Sequence, residues 1–278
     1  MSAAILYGLV LLSAIAHAVW NAMMKSSGDR MLTLAALRCA GLVLGLWALP
    51  FVEWPAAESW KWLALTALVQ FVYYVLLVRS YGAGDMSAVY PLARGLAPVL
   101  TTLAAALLIG ETLRAGQVAA VALISLGIMV LSFGAGASRT AVLLATGTGI
   151  SAAAYSFLAG LGVRNAGTVL GFQACLEIVT GLGTVSYVAA ARRRSIFDYV
   201  HRHGAFGLLA GLISVLGFLA FLAAAQALPL GPVTALRETS VIFGAAIGAL
   251  VLREGFGARR LAAATMVVSG IGLLAFCP

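Results

Sequence analysis

The sequence predicts an all-α integral membrane protein with ten transmembrane helices, arranged as a 5+5 inverted repeat around a central cavity. Three features predict this fold: the composition, the recurrence of apolar runs, and an internal repeat. Hydrophobic residues make up 63% of the 278 residues, and charged residues only 9%. A water-soluble protein of that composition would lack a polar surface, so lipid is the expected solvent for most of the chain.

Apolar runs long enough to cross a membrane recur from one end of the chain to the other. A helix that crosses the hydrocarbon core needs about 20 apolar residues. Charges and Gly or Pro breaks separate ten such runs, at residues 3–24, 31–52, 62–81, 86–109, 115–134, 141–162, 168–191, 205–227, 231–252 and 257–276. The connections between them are too short to hold a further domain.

An internal repeat relates the two halves of the chain. A shift of 143 residues lays residues 88–133 on residues 231–276 without a gap. The shift pairs Arg94 with Arg237, Glu111 with Glu254, Ala120 with Ala263, and Gly127 with Gly270. Apolar matches are common between any two membrane helices, but an ungapped Arg and Glu match is not. The repeat therefore predicts two five-helix units, residues 1–137 and 138–278.

Five spans are an odd number, so the second unit enters the membrane upside down relative to the first. The two units are then related by a pseudo-two-fold axis in the membrane plane. Such inverted repeats are typical of alternating-access transporters, whose binding site lies at the repeat interface near the midplane.

Two local patterns resemble the EamA-type members of the drug/metabolite transporter superfamily. They are Ser13-x3-His17-Ala18-x-Trp20-Asn21-x3-Lys25 in the first span, and Gln226-Ala227-Leu228-Pro229-Leu230-Gly231-Pro232-Val233 before the ninth. The resemblance covers the whole chain and implies a ten-helix basket that transports small metabolites, often by export. The sixth span, aligned by itself on the first, matches Ser151 to Ser13 and Tyr155 to His17. It has no counterpart of Trp20, Asn21 or Lys25. The two halves are therefore not chemically equivalent.

Two arginines at equivalent positions of the repeat are the main candidates for substrate binding. An ionisable side chain within a span costs roughly 2.5–3.5 kcal/mol on insertion scales, so it needs a partner or a wet cavity. If Arg94 and Arg237 face one cavity, their guanidinium groups suit a carboxylate, phosphonate or phosphate. The alternative is that Glu177 or Glu238 neutralises them for structure alone.

Other polar side chains within the spans complete the predicted site. His17, Asn21 and Lys25 are four residues apart and form one stripe that should face the bundle. His17 either binds cargo, carries a proton or makes an interhelical hydrogen bond. Tyr74 either faces the cavity or packs within the bundle, whereas Tyr73 points elsewhere. The predicted substrate-binding residues are His17, Asn21, Arg38, Tyr74, Tyr90, Arg94, Glu177, Arg237 and Glu238.

These features favour a secondary transporter, more specifically an exporter, of a small anionic or zwitterionic metabolite such as an amino acid or aminophosphonate. No Walker motif is present, which argues against an ATP-driven pump. One alternative is an exporter of lipophilic or cationic drugs, which would prefer a buried acid in an aromatic cage. The other is an intramembrane lipid-modifying enzyme, but the sequence has no HExxH or GxSxG motif.

The expected partners are a small-molecule substrate and the lipid bilayer, with protons as the candidate coupling ion. No cofactor or metal is expected. No nucleic-acid partner is expected either, because most of the cations behind the +8 formal charge lie in short loops. Alternate loops hold ten Lys and Arg on one side and three on the other, which places both termini outside the cytoplasm. The resemblance implies the reverse. The expected location is the cell inner (plasma) membrane, as a monomer or a homodimer.

Overall fold

The computed structural model describes residues 2–27, 29–83, 86–132, 138–192, 195–244 and 258–276. Within these ranges the chain forms ten α-helices and no β-strand: α1 (Ala3–Ser26), α2 (Arg30–Ala48), α3 (Trp60–Ala83), α4 (Met86–Ile109), α5 (Ala115–Val130), α6 (Arg139–Arg164), α7 (Val169–Arg192), α8 (Ser195–Ala227), α9 (Leu230–Glu238) and α10 (Ala258–Phe276). Two short 3-10 helices, Leu49–Phe51 and Ala57–Ser59, connect α2 to α3. The predicted all-α membrane fold is confirmed.

Most of the helices match the predicted spans. Eight of those in the described ranges are long and apolar enough to cross a membrane. The exceptions are α5, an apolar helix of 16 residues, and α9, which ends at Glu238 and is followed by a turn at Thr239 and more helix to residue 244. The rest of the predicted ninth span, including Glu254, lies outside the described residues.

The helix α8 begins at Ser195, well before the predicted span at residues 205–227. Its first turns carry Asp198 and Arg202. Polar residues do not end a helix, whereas apolar runs reveal only the part of a helix that lies in lipid. The predicted span therefore matches the apolar part of this helix, His201–Ala227, to within four residues.

Local sequence signals account for several helix ends. The Asp29 carboxylate caps α2 by accepting hydrogen bonds from the Met31 and Leu32 N–H groups, at 3.0 and 3.2 Å, as expected for an N-cap residue. Ser138 caps α6 in the same way, by accepting from Ala141 N–H. Gly110, with a φ of 66°, turns the chain out of α4, because glycine adopts positive φ without strain.

Helix pairs that the repeat relates to each other make corresponding contacts. α3 packs on α6 as α1 packs on α8, and α4 packs on α6 as α1 packs on α9. Two further pairs, α2 with α7 and α5 with α10, join each helix to its own counterpart. This pattern is the one expected if exchanging the first five helices with the last five leaves the packing unchanged.

The contact between α5 and α10 fixes the direction of the axis. A Cβ on Gly127 would lie 3.0 Å from the Ala263 carbonyl oxygen, and a Cβ on Gly270 would lie 3.0 Å from that of Ala120. The repeat shift exchanges these two contacts, which join antiparallel helices. A two-fold axis between antiparallel helices is perpendicular to them and so lies in the membrane plane. The unit boundary between 137 and 138 stays a prediction.

A polar cluster ties the loops together at one end of the bundle. The Arg164 guanidinium donates to the Ala225 and Leu228 carbonyl oxygens, at 2.9 and 2.7 Å. It also lies 3.4 Å from a Glu111 carboxylate oxygen, which accepts a hydrogen bond from the Leu230 N–H at 3.0 Å. The cluster joins the C-terminal ends of α4, α6 and α8 to the start of α9, and we call it the Arg164 latch.

Candidate substrate-binding site

A cavity lies in the middle of the bundle, between the two sets of helices. Its lining combines ionisable, hydroxyl and aromatic side chains: Ser13, His17, Trp20, Arg38, Gln70, Tyr73, Tyr74, Tyr155, Glu177, Ser214, Phe218 and Arg237, together with Gly217. The volume open to the centre of a water molecule is about 20 Å³, where one water needs roughly 10–15 Å³. In this conformation the cavity has room for a water molecule but not for an amino acid.

Arg237 is a buried cation in the wall of this cavity. Its Nη1 donates a hydrogen bond to the Tyr155 hydroxyl at 3.1 Å. Its guanidinium carbon lies 4.7 Å from the centre of the Phe221 ring and 5.0 Å from that of Phe218. Among the described residues, no carboxylate lies within 4.0 Å of this guanidinium group. Aromatic faces attract the cation but leave its net charge uncompensated.

Arg38 and Glu177 form an ion pair elsewhere in the cavity wall. Arg38 Nη1 lies 3.1 Å from Glu177 Oε2, and Arg38 Nη2 donates to the Ser214 hydroxyl at 3.0 Å. The other carboxylate oxygen accepts a hydrogen bond from the Gln173 side chain at 2.9 Å. α2 and α7 come close here, since a Cβ on Gly41 would collide with the Glu177 carboxylate. The pair is neutral as a unit but presents both signs of charge to the cavity.

Arg94 and Glu238 do not line the cavity. Arg94 Nη1 lies 3.2 and 3.1 Å from the two Glu238 carboxylate oxygens, and both side chains are only 1% exposed. Arg94 Nη2 lies 2.7 Å from His17 Nε2 and also donates to the Tyr73 hydroxyl. The expectation of two guanidinium groups facing one cavity is therefore not met in this conformation. Internal neutralisation, the alternative reading, describes Arg94.

The remaining predicted residues divide between the cavity and its surroundings. His17 lines the cavity, whereas Asn21 donates to the His17 carbonyl oxygen of its own helix at 2.8 Å. Tyr90 stacks near the Arg94 guanidinium, with 5.1 Å between the guanidinium carbon and the ring centre. The Lys25 side chain lies outside the described residues.

Tyr73 and Tyr74, which are adjacent in α3, both reach the cavity, although only Tyr74 was predicted to do so. The Tyr74 hydroxyl accepts a hydrogen bond from the Gln70 side chain at 3.3 Å, and the two residues share a helix face as expected. Tyr73 was predicted to point elsewhere, but its ring lines the cavity and its hydroxyl contacts Arg94. Adjacent helical residues can both face a cavity that curves around the helix, so the prediction for Tyr73 was wrong.

Several lining residues were not among the predicted binding residues. Tyr155 was detectable, because it aligns with His17 in the repeat. Ser13 and Trp20 belong to the first-span pattern that carries the resemblance, but that pattern does not say which members face the cavity. Ser214 and Phe218 lie within the apolar part of α8, where the residue pattern does not indicate which face lines the cavity.

Comparisons with known proteins agree with this architecture. The model of the EamA-like transporter family matches residues 4–133, from α1 to the end of α5. No curated protein matches the chain. A solved structure titled "Crystal structure of protein" is similar over its length, with a TM-score of 0.75 at 16% sequence identity, covering 99% of this chain and 96% of that one. At that identity the likeness establishes the fold alone.

Proposed function

We propose that this chain is a secondary transporter of a small anionic or zwitterionic metabolite. The match of the EamA-like transporter family over residues 4–133 indicates a membrane transporter of the drug/metabolite transporter superfamily. An amino acid or an aminophosphonate is the kind of cargo that fits. The observation that carries the proposal is the buried Arg237 guanidinium, which borders the cavity without a carboxylate partner among the described residues.

An anionic group on the cargo supplies the missing partner of Arg237. A buried charge without a counter-ion is unfavourable by several kcal/mol even after relaxation. A cargo carboxylate, phosphonate or phosphate offers that counter-ion, and the planar guanidinium group can hold two of its oxygens at once. The aromatic rings of Phe218 and Phe221 exclude water there and so strengthen the attraction.

The second charged group of a zwitterion has a place in the same cavity. The Glu177 carboxylate already accepts from Arg38 and Gln173, yet each carboxylate oxygen has lone pairs for a further donor. A cargo ammonium group can use them. A cargo that carries only positive charge meets Arg38 and Arg237 in the same wall, which disfavours the alternative of cationic drug export.

The direction, location and coupling of transport extend the same proposal. Export and a place in the cell inner (plasma) membrane follow from the resemblance to EamA-type proteins. Protons are the proposed coupling ion, and Glu177 is the cavity carboxylate proposed to carry one.

A thermal-shift screen of the purified protein tests the proposal. The panel contains L-glutamate, L-phenylalanine, 2-aminoethylphosphonate, citrate and tetraphenylphosphonium. Ligand at 100 times its Kd stabilises the folded state by about 2.7 kcal/mol, which a melting curve detects. We expect stabilisation by at least one carboxylate or phosphonate, and loss of that stabilisation in Arg237→Met.

The matched control is Arg79→Met, which removes an exposed arginine from α3. This variant should keep the stabilisation. The proposal fails if tetraphenylphosphonium alone stabilises the protein, or if Arg237→Met responds as the native chain does. A lipid product formed by the purified protein in detergent would instead favour an intramembrane enzyme.

A further inference from the structure

We propose that Arg94 is a positioning residue, which fixes His17 as a neutral imidazole that donates its Nδ1–H to the cargo. The inference rests on the proposed function, since it assigns a role within the same binding site. It also gives a purpose to the Arg94 and Glu238 pair, which is fully buried beside the cavity but does not line it.

The hydrogen bond between Arg94 and His17 determines which ring nitrogen carries the proton. Arg94 Nη2 and His17 Nε2 are 2.7 Å apart. A guanidinium group has only donors, so Nε2 must accept and can carry no hydrogen. The imidazole is then neutral and its single N–H is at Nδ1, because an imidazolium ion would direct a second N–H against the guanidinium group.

The Nδ1–H is left available at the cavity. His17 lines the cavity, and no described residue accepts a hydrogen bond from its Nδ1. The ring is held at 83° to the Trp20 ring, with 4.9 Å between the centroids. Both the protonation and the orientation of the imidazole are therefore set before cargo binds, which lowers the free energy that binding must spend on ordering.

Glu238 allows Arg94 to do this without adding charge to the site. The two carboxylate oxygens contact one guanidinium nitrogen at 3.2 and 3.1 Å, so the pair is neutral overall. A second uncompensated guanidinium group close to Arg237 would repel it, because charges interact strongly in a medium of low dielectric constant.

The second repeat has the same contact between an arginine and a side chain of its first helix, with one difference. Arg237 donates to the Tyr155 hydroxyl, and Tyr155 aligns with His17, so each arginine holds the equivalent side chain of α1 or α6. The repeat shift places Gly95 opposite Glu238. The first repeat therefore lacks the acid, and Arg237 keeps a net charge for cargo while Arg94 does not.

Nitrogen-15 NMR of histidine-labelled protein tests the assigned tautomer without any cargo. The chain has three histidines, so His201→Gln and His203→Gln leave His17 as the only signal. We expect a protonated Nδ1 and an unprotonated Nε2 at pH 7. A spectrum of the opposite tautomer, or of the imidazolium ion, would overturn the proposal.

A double variant separates positioning from a purely structural role. Arg94→Met combined with Glu238→Gln removes the donor without leaving a buried carboxylate unpaired. We expect the Nε2–H tautomer to become populated, whereas Arg94→Lys, which keeps a donor, should retain the native tautomer. If the double variant melts at a lower temperature but keeps the native tautomer, Arg94 is structural and the proposal is wrong.

The donor role of Nδ1–H is tested with the compound of the panel above that gives the largest thermal shift. We expect His17→Leu to weaken its binding about 10-fold to 100-fold, the range for a hydrogen bond to a charged group. His17→Asn, whose amide N–H lies close to the position of Nδ1, should recover part of the loss. Equal binding by His17→Leu and the native chain would refute the donor role. If no compound binds, the proposed function fails while the tautomer measurement still decides whether Arg94 positions His17.

Discussion

Arg94 and Arg237 are arginines at equivalent positions of the two repeats, yet their surroundings differ. Arg94 is compensated by Glu238 on the facing helix, whereas Arg237 has aromatic rings and one hydroxyl around it. The first arrangement stabilises the fold and holds His17, whereas the second leaves a charge that we propose a ligand compensates. Removing the acid beside Arg94 should therefore lower the stability of the protein. Removing Arg237 should abolish binding without lowering the stability.

Glu238→Gln should destabilise the protein, because it leaves Arg94 as an unpaired buried charge. Breaking a buried pair by removing one partner costs about 3–5 kcal/mol. Arg237→Met, in contrast, should leave the melting temperature unchanged or raise it, since it removes a charge that has no acid partner among the described residues.

Thermal unfolding of both variants in one detergent, without added ligand, makes this comparison. The assignment of a binding role to Arg237 is in error if Arg237→Met lowers the melting temperature as much as Glu238→Gln does.

The sequence identified most of the buried ionisable residues but not how they pair. Repeat symmetry pointed to Arg94 and Arg237 as equivalents, and the insertion penalty required a partner or a wet cavity for each. The partner of Arg94 depends on how far α9 is rotated against α4, which no residue spacing reveals. For the same reason, the hydropathy of α8 did not show that Phe218 would pack on Arg237.

Glycines let the helices that sit on the pseudo-two-fold axis approach each other closely. Gly127 and Gly270 do this between α5 and α10, and Gly41 and Gly181 do it between α2 and α7. Helices in lipid associate mainly through such close packing, because lipid chains are as apolar as the helices themselves.

Gly270→Leu should destabilise the bundle, because a side chain there meets the Ile124 side chain at 2.6 Å and the Ala120 carbonyl oxygen at 3.0 Å. Forcing extra methylene groups into such a contact costs typically about 1–3 kcal/mol. The control is Gly272→Leu on the same helix, where a Cβ would meet nothing within 4 Å. Melting temperatures measured side by side should fall only for Gly270→Leu, and an equal fall in both variants would refute the close contact.

The Arg164 latch joins four helix ends at one end of the bundle. Its ion pair is partly exposed, with 25% of the Arg164 side chain accessible. Partly exposed pairs contribute about 1 kcal/mol at most. Such a latch is strong enough to bias one conformation and weak enough to open during a transport cycle.

Arg164→Gln should make the cavity more accessible from that end. The measurement is the rate at which a water-soluble thiol reagent labels Ser214→Cys, in a chain whose native cysteines are replaced by serine. Loss of about 1 kcal/mol predicts roughly fivefold faster labelling. Arg139→Gln, at the opposite end of α6, is the control and should leave the rate unchanged. Unchanged labelling in Arg164→Gln would show that the latch does not close the cavity.

For the molecule as a whole, the cavity and the proposed cargo differ in size. Room for about one water molecule means that helices must move apart before a metabolite enters. α4 can bend at the two prolines inside it, Pro91 and Pro98, because proline removes a helical hydrogen bond and favours a bend. For Pro98 the freed carbonyl group belongs to Arg94, next to the site.

Composition, span lengths and the repeat predicted the whole fold because each is a property of long stretches of chain. Ten apolar runs and one ungapped shift tolerate errors of several residues at any boundary. The size of the cavity could not be predicted in this way. It depends on how the side chains of the helices that line the cavity pack against one another, which no residue spacing reveals.

Transport by proteoliposomes tests directly whether Arg237 binds the cargo. Vesicles containing the native protein, Arg79→Met or Arg237→Met are loaded with the anionic compound that stabilises the native chain, and exchange with the same labelled compound outside is followed. We expect exchange by the native protein and by Arg79→Met, and none by Arg237→Met, although that variant melts at the native temperature or above. Equal exchange by Arg237→Met and the native protein would refute the binding role of Arg237.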